Sequence, residues 1–141
     1  MGSGVIMLTP GTFASGKDDP NRFQIGIQAY TFNRWFNEGK LEHLDYPALA
    51  KEKLGINHIE YWNRPFQGRH TDKKYMDELV NRSTGEGMQN VLILVDAEHQ
   101  LDSPDTAQRA RAIDEHKAWV DCAAQLGCDA IRVNCHSGGD R

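Results

Sequence analysis

Polar side chains that can bind hydroxyl groups, hold a cation or move a proton recur at four places along this 141-residue chain. Each group lies at the end of an apolar segment, and together they supply carboxylate, imidazole, amide and guanidinium groups. Oxygen and nitrogen donors of this kind suit a divalent cation, and carboxylates and imidazoles suit proton transfer. The four groups are Tyr30, Asn33, Arg34 and Trp35; Glu60, Trp62 and Asn63; Asp96, Glu98 and His99; and Arg132, Asn134 and His136.

Several of these residues also have a purely structural interpretation, which the sequence leaves open. Glu60 could bind a substrate hydroxyl, or it could form an ion pair with Arg132. Asp96, Glu98 and His99 could bind a metal, although carboxylates in such loops more often cap helices or face water.

The aromatic residues and the last histidine are similarly ambiguous. An apolar wall over a sugar ring, or simply a cover for the rim of the barrel, could be formed by Trp35, Phe36, Trp62 and Phe66. His136 precedes Ser137 and two glycines, which would let the backbone approach a ligand closely. A histidine in such a loop can equally be solvated.

Four segments with strand character position these groups, and they alternate with three segments of helical periodicity. The strands are expected near residues 24–31, 57–62, 90–96 and 130–134. In three of them apolar and polar residues alternate, which is typical of a strand with one buried face. The helical segments read LDYPALAKEKLG, TDKKYMDELVNRSTGEGM and SPDTAQRARAIDEHKAWVDCAAQLG. Gly55 and Gly127 suit the left-handed residue that ends a helix.

The helical segments also predict caps and buried faces. Asp45 and Ser103 are the expected N-caps of the first and third helices. His116 is expected to be a hydrogen-bonded core histidine of the third helix. The predicted buried stripes are Leu49, Ala50 and Leu54; Tyr75, Met76, Leu79 and Val80; and Ala110, Ile113, Val120 and Ala124.

The β-α-β-α-β-α-β order predicts a parallel sheet with right-handed crossovers. In a doubly wound open sheet both faces would be covered, and the strands would be apolar throughout. One polar face instead favours a barrel whose helices lie outside and whose mouth is polar. A complete (β/α)₈ barrel needs ~250 residues. The sequence therefore predicts an α/β, TIM-barrel-like N-terminal half-barrel over residues 23–141, with four strands and three helices, after a flexible leader at residues 1–22.

Composition narrows the classes of partner. The net charge is −4 and the pI is about 5.8, which disfavours a nucleic-acid partner. No apolar run is long enough for a membrane span, and the N-terminus lacks the basic flank of a secretory signal, so a cytoplasmic protein is expected. Cys122, Cys128 and Cys135 have no C-x-x-C spacing, which argues against a disulfide framework and a structural zinc site.

Four segments resemble the sugar phosphate isomerase/epimerase family, the xylose isomerase-like TIM barrels. They are IGIQAYTF, LGINHIEYWN, VLILVDAEHQL and WVDCAAQLGCDAIRVNCHSGG, and they correspond to the first four strands of that fold. The resemblance implies metal-assisted proton transfer on a ketose or keto-acid, with Mn, Mg or Zn as the ion. It places two acid/base glutamates on strands five and eight, so catalytic residues are expected beyond residue 141.

The resemblance implies a sugar or sugar phosphate as partner, and the composition predicts no nucleic acid and no membrane. Tyr30, Glu60, Trp62, Asn134 and His136 are the predicted substrate-binding residues, and His136 and Glu98 the predicted metal ligands. Whether this chain is itself an enzyme stays open. A non-catalytic half-barrel that binds a sugar or forms a homo-oligomer is one alternative. An apurinic endonuclease-like barrel is another.

Overall fold

The computed structural model describes residues 23–96 and 99–134. The four strands are β1 (Gly26–Gln28), β2 (His58–Trp62), β3 (Gln89–Val95) and β4 (Ala130–Val133). The helices are α1 (Asn33–Asn37), α2 (Tyr46–Leu54), α3 (Lys73–Gly85) and α4 (Thr106–Leu126). Short 3₁₀ segments lie at Ala29–Phe32, His43–Asp45, Arg64–Phe66 and Arg69–Thr71.

The strands form one parallel sheet in the order β1-β2-β3-β4. This sequential order is that of a barrel segment, and it confirms the predicted half-barrel rather than a shuffled open sheet. None of the helices in the described ranges has the length and apolarity that a membrane crossing requires.

Strand alternation places the two faces as the sequence predicted. Ile59, Tyr61 and Ile93 point toward the helices and are fully buried. The residues between them face the other way, and strand pairing aligns Glu60 with Gln28 on β1 and with Leu92 on β3. Pairing also aligns Trp62, Leu94 and Arg132, so the polar positions of the strands share the concave face.

The first strand is shorter than predicted, since the chain leaves the sheet after Gln28. Ala29 is fully buried and begins a 3₁₀ segment that turns the chain. Phe32 then packs against Tyr46, with 6.1 Å between the ring centroids. Burial of this aromatic pair accounts for the turn at a point where the sequence pattern still favours a strand.

The predicted buried stripe of α4 is wrong. Ile113 and Val120 are 49% and 51% exposed, and Ala110 and Ala124 are exposed as well. The face that packs on the sheet is formed by Ala112, His116, Trp119, Cys122, Ala123 and Leu126. Both sets recur at helical spacing, and only the tertiary contacts decide which of them packs on the sheet.

The buried histidine of α4 is confirmed in part. The Nδ1–H of His116 donates to the carbonyl oxygen of Ala112 at 2.7 Å, while its Nε2 has no partner among the described residues.

The cap of α4 also differs from the prediction. Asp105, not Ser103, accepts the backbone N–H groups of Ala107 and Gln108. Gly127 ends the helix at φ 73°, and Gly55 ends α2 at φ 66°, as predicted.

The first predicted helix differs in its details too. Asp45 occupies the N-cap position of α2 but makes no capping bond, and its carboxylate instead pairs with Arg82 on α3 at 2.6 Å. Within the predicted stripe Ala50 is buried, Leu49 is half-buried and Leu54 is exposed. In α3, by contrast, Tyr75, Met76 and Leu79 are buried as predicted.

A partly buried polar junction ties the sheet to two helices at the start of β3. Asn90 Oδ1 accepts the hydroxyl groups of Tyr61, at 3.1 Å, and of Ser83, at 2.7 Å. Its Nδ2 donates to the carbonyl oxygen of Leu126, the last residue of α4, at 2.8 Å. One side chain thereby joins β2, β3, α3 and α4 on the side opposite the predicted site.

Candidate functional site

Asp96 joins the carboxyl ends of β2, β3 and β4. Its Oδ2 accepts a hydrogen bond from the indole N–H of Trp62 at 2.8 Å, and its Oδ1 accepts one from Nδ2 of Asn134 at 2.8 Å. Asn63 clamps the backbone of Asp96, since its amide donates to the carbonyl oxygen and accepts the N–H, both at 3.0 Å. Side chains that are far apart in sequence are thus brought together at one edge of the sheet.

This geometry corrects the expectation for Asp96. The carboxylate neither caps a helix nor stands free in water, because each of its oxygens accepts a hydrogen bond from a neighbouring strand end. A hydrogen bond to a charged acceptor in a half-buried position is stronger than a neutral one. Asp96 therefore fixes the orientation of Trp62 and Asn134.

Glu60 lies on the concave face, two residues before Trp62 on β2. Its Oε2 accepts Nε2 of Gln28 on β1 at 3.1 Å. Within the part of the chain that the structure describes, Glu60 forms no ion pair with Arg132, so that structural alternative is wrong. Glu60 and Arg132 lie two strands apart, about 9.6 Å at the usual strand spacing, and on different rungs of the ladder.

The aromatic pair at the mouth consists of Tyr30 and Trp62. Their ring centroids lie 5.0 Å apart with the planes at 76°. Trp62 is 6% exposed and its indole N–H is used by Asp96, whereas Tyr30 is 47% exposed. Of the two, Tyr30 offers the surface that a ligand can reach.

A cavity of about 310 Å³ opens beside the network, between the loop after β2 and α4. This volume is at the lower limit of small-molecule pockets. His70 stacks on Trp119 in its wall, with 4.1 Å between centroids, and burial lowers the pKa of His70. The lining residues are Asn63, Arg64, Gln67, Gly68, His70, Asp96, Glu115 and Trp119.

The predicted metal ligands stay a prediction. Glu98 and His136 lie outside the described residues. The neighbouring His99 has its Nδ1 at 2.6 Å from a carboxylate oxygen of Glu115 on α4. Within residues 23–96 and 99–134, no group of three or more acidic, histidine or cysteine side chains could hold a metal ion.

Sequence reasoning missed several walls of the cavity. Arg64, Gln67 and His70 belong to an irregular loop with two 3₁₀ turns, where no periodicity indicates which side chains converge. Glu115 and Trp119 lie on α4, for which the sequence predicts the wrong buried face. The glycine and proline residues of this loop were the one available signal that it folds compactly.

A family model described as xylose isomerase-like TIM barrel matches residues 47–141. Among solved structures, a Sinorhizobium meliloti protein superposes with a TM-score of 0.54 at 21% identity, over 82% of this chain and 38% of that one. A Rhodospirillum rubrum protein with a provisional xylose isomerase name gives a TM-score of 0.62 at 13% identity, over 79% of this chain and 39% of that one. At these identities the two structures show a shared fold. No curated protein matches the chain. The chain spans less than two fifths of either structure, and through the matched residues it belongs to the xylose isomerase-like TIM barrel family.

Proposed function

We propose that this chain supplies the N-terminal part of a sugar isomerase or epimerase that moves a proton between adjacent carbons of a ketose or keto-acid. The observation that carries the proposal is the convergence of polar groups from four parallel strands at one edge of the sheet. Active sites of (β/α) barrels lie at this edge. Because the chain covers 38% and 39% of the two matched structures, the activity of a whole barrel is part of the proposal.

The described residues suit a substrate that carries hydroxyl groups. Gln28 donates a hydrogen bond to one carboxylate oxygen of Glu60, and the second oxygen can accept one from a substrate hydroxyl. Asn134 directs its Nδ2 to Asp96, which leaves its Oδ1 as an acceptor. Tyr30 adds an exposed ring and a hydroxyl group. The predicted contact from His136 belongs to the same proposal.

The resemblance implies a divalent ion that would polarise the substrate carbonyl. The donor set of the described residues does not fit such an ion by itself, because Asp96 is hydrogen-bonded by two strand ends and His99 is paired with Glu115. Glu98 and His136 stay the proposed ligands from this chain. The role that the described residues can fill is to bind and orient the sugar.

Sugar binding tests this role directly. We expect ketoses added to the ¹⁵N-labelled chain to shift the signals of the Trp62 indole and the Asn134 amide. Glu60→Gln should weaken binding about tenfold, because it replaces a charged acceptor. Glu52→Gln, on the exposed side of α2, is the matched control and should bind normally. Shifts confined to other residues, or equal binding by both variants, would contradict the assignment.

Turnover is a separate test. With added Mn²⁺, the chain alone is expected to show no ketose isomerisation, since the resemblance places the acid/base glutamates on later strands. Loss of such a group typically costs ~10²–10⁴ in rate. Isomerisation by the purified chain that requires Glu60 would show that the acid/base groups lie within it.

Self-association is a second candidate property, and the open edges of the sheet favour it. Within the described residues β1 and β4 each pair on one side only. Phe23 and Ile25 beside β1 are 94% and 72% exposed, and Ile113 and Val120 leave an apolar stripe on α4. Unpaired edges and apolar surface promote association. Analytical ultracentrifugation across a concentration series should show a dimer that Ile25→Lys weakens, and a monomer at all concentrations would refute it.

A further inference from the structure

A second, smaller cavity has Trp62, a member of the strand-end network, in its wall. It encloses about 110 Å³ between the segment that follows α1 and the loop after β2. The polar walls that matter here are Asn37, Glu42, His43, Arg64, Gln67 and Arg69. They supply two guanidinium groups against one carboxylate, so the cavity carries a net positive charge.

The two arginines differ in how they are held. Arg69 is fixed, because its Nε donates to the carbonyl oxygen of Phe66 at 3.1 Å and its Nη2 to that of Pro65 at 3.5 Å. Its guanidinium carbon also lies 4.1 Å from the ring centroid of Tyr75, which leaves Nη1 as the donor without a partner in the described part of the chain. Arg64 is exposed. The ion pairs of the described residues occupy Arg34 and Arg82 but neither of these two arginines. Both can still donate hydrogen bonds to an anion.

His43 supplies a buried group with an unused nitrogen. The side chain is 3% exposed, and its Nδ1 lies 2.5 Å from the hydroxyl oxygen of Tyr75. Its Nε2 has no partner among the described residues. His43 is a wall of the cavity, whereas Tyr75 is not. A buried polar atom without a partner often marks a missing water or ion.

The protonation of His43 follows from its surroundings. Burial, aided by the charge of Arg69, lowers its pKa to about 3, so the ring is neutral at physiological pH. If the Tyr75 hydroxyl donates to Nδ1, Nε2 carries the hydrogen, and this tautomer leaves the fewest groups unsatisfied. His43 then presents a neutral N–H donor.

The backbone holds the loop in an unusual conformation at this point. Gln67 has φ 51°, the left-handed region that non-glycine residues seldom adopt, and Gly68 follows it at φ 78°. Gln67 and Arg64 line both this cavity and the larger one beside Asp96. Strained residues of this kind are enriched in ligand-binding loops.

We propose that this cavity binds a compact oxyanion, the chemistry shared by a phosphate and a carboxylate group, between Arg64 and Arg69 and above His43. Guanidinium groups recognise both anions through paired N–H donors. The volume admits the anionic group alone and not a sugar ring. Binding here does not depend on turnover or on the proposed isomerase activity.

Isothermal titration of the chain with inorganic phosphate and, separately, with acetate tests the proposal. At least one anion should bind saturably, and the anion that binds more tightly identifies the source. Arg64→Gln should weaken that binding about tenfold. Arg64 is the arginine of choice for this variant because Arg69 also supports the loop. Arg111→Gln, an exposed arginine of α4 that lines neither cavity, removes the same charge and should bind normally.

The ¹⁵N signals of His43 locate the site independently. Saturating anion should shift Nε2 while the signal keeps the position of a protonated nitrogen. Absence of saturable binding by either anion, equal losses in Arg64→Gln and Arg111→Gln, or an unchanged His43 signal would each overturn the proposal. Failure of sugar binding at Glu60 would leave it intact, since the two assays probe different residues.

Discussion

Replacement of Asp96 by alanine should destabilise the fold as well as the site. The substitution removes two hydrogen bonds to a charged acceptor, each worth about 1.5–3 kcal/mol. It also leaves the indole N–H of the 6% exposed Trp62 without a partner. Relief from burying a carboxylate offsets part of this loss. We expect the free energy of unfolding to fall by about 2–4 kcal/mol, and by about half as much in Asp96→Asn.

Urea unfolding followed by circular dichroism would measure these differences. Asp114→Asn is the control, since Asp114 is 74% exposed in a surface pair with Lys117 and should change stability by no more than about 0.5 kcal/mol. Trp62→Phe removes the indole N–H and keeps an aromatic ring. Its cost should shrink in the Asp96→Ala background, because the shared hydrogen bond is already absent. Strict additivity, or a loss below about 0.5 kcal/mol for Asp96→Ala, would refute the network.

Three further predictions concern stability. Asn90→Ala breaks a partly buried junction with three partners and should lower the free energy of unfolding by about 2–3 kcal/mol in urea titrations, whereas Asn90→Asp, which keeps the acceptor, should cost less. The pKa of His43 is about 3 in the folded chain and near 6.5 in the unfolded chain, so between these two pH values the unfolded chain binds one more proton. The free energy of unfolding should therefore fall by up to about 1.4 kcal/mol for each unit by which the pH decreases in this range. In urea titrations at several pH values, His43→Phe should flatten that slope. Ile113→Ser with Val120→Ser on the exposed face of α4 should change monomer stability by less than about 1 kcal/mol, against about 3–5 kcal/mol for Trp119→Ala on its buried face, as read from thermal unfolding.

The sheet follows from the sequence because its signals are local. Alternation over β2 and β4 separates helix-facing residues from concave ones, and glycines mark where α2 and α4 end. The strand order follows as well, since short βαβ connections place successive strands side by side. The alternation therefore predicts the correct face for Glu60.

The site is less predictable because its contacts are not local. Asp96, Trp62 and Asn134 are joined by hydrogen bonds over 34 and 38 residues of sequence, and no spacing rule connects them. The predicted buried face of α4 is wrong for a different reason. Ile113 and Val120 are as regularly spaced as the buried face, so periodicity reveals that apolar faces exist but not which one packs on this sheet.

The two proposed sites suit different chemical groups of a ligand, because different donors and acceptors in each are already hydrogen-bonded within the protein. At the strand ends the hydrogen bonds to Asp96 and Glu60 use the donors of Trp62, Asn134 and Gln28, so the atoms left over are largely acceptors. Acceptors suit hydroxyl groups and repel an oxyanion. In the smaller cavity the two guanidinium groups and a neutral imidazole outnumber the one carboxylate, Glu42, and their donors suit an oxyanion. Trp62 belongs to both regions. A ligand with a polyhydroxy body and one anionic group would therefore meet complementary atoms in the two regions, and a neutral sugar would use only the strand ends.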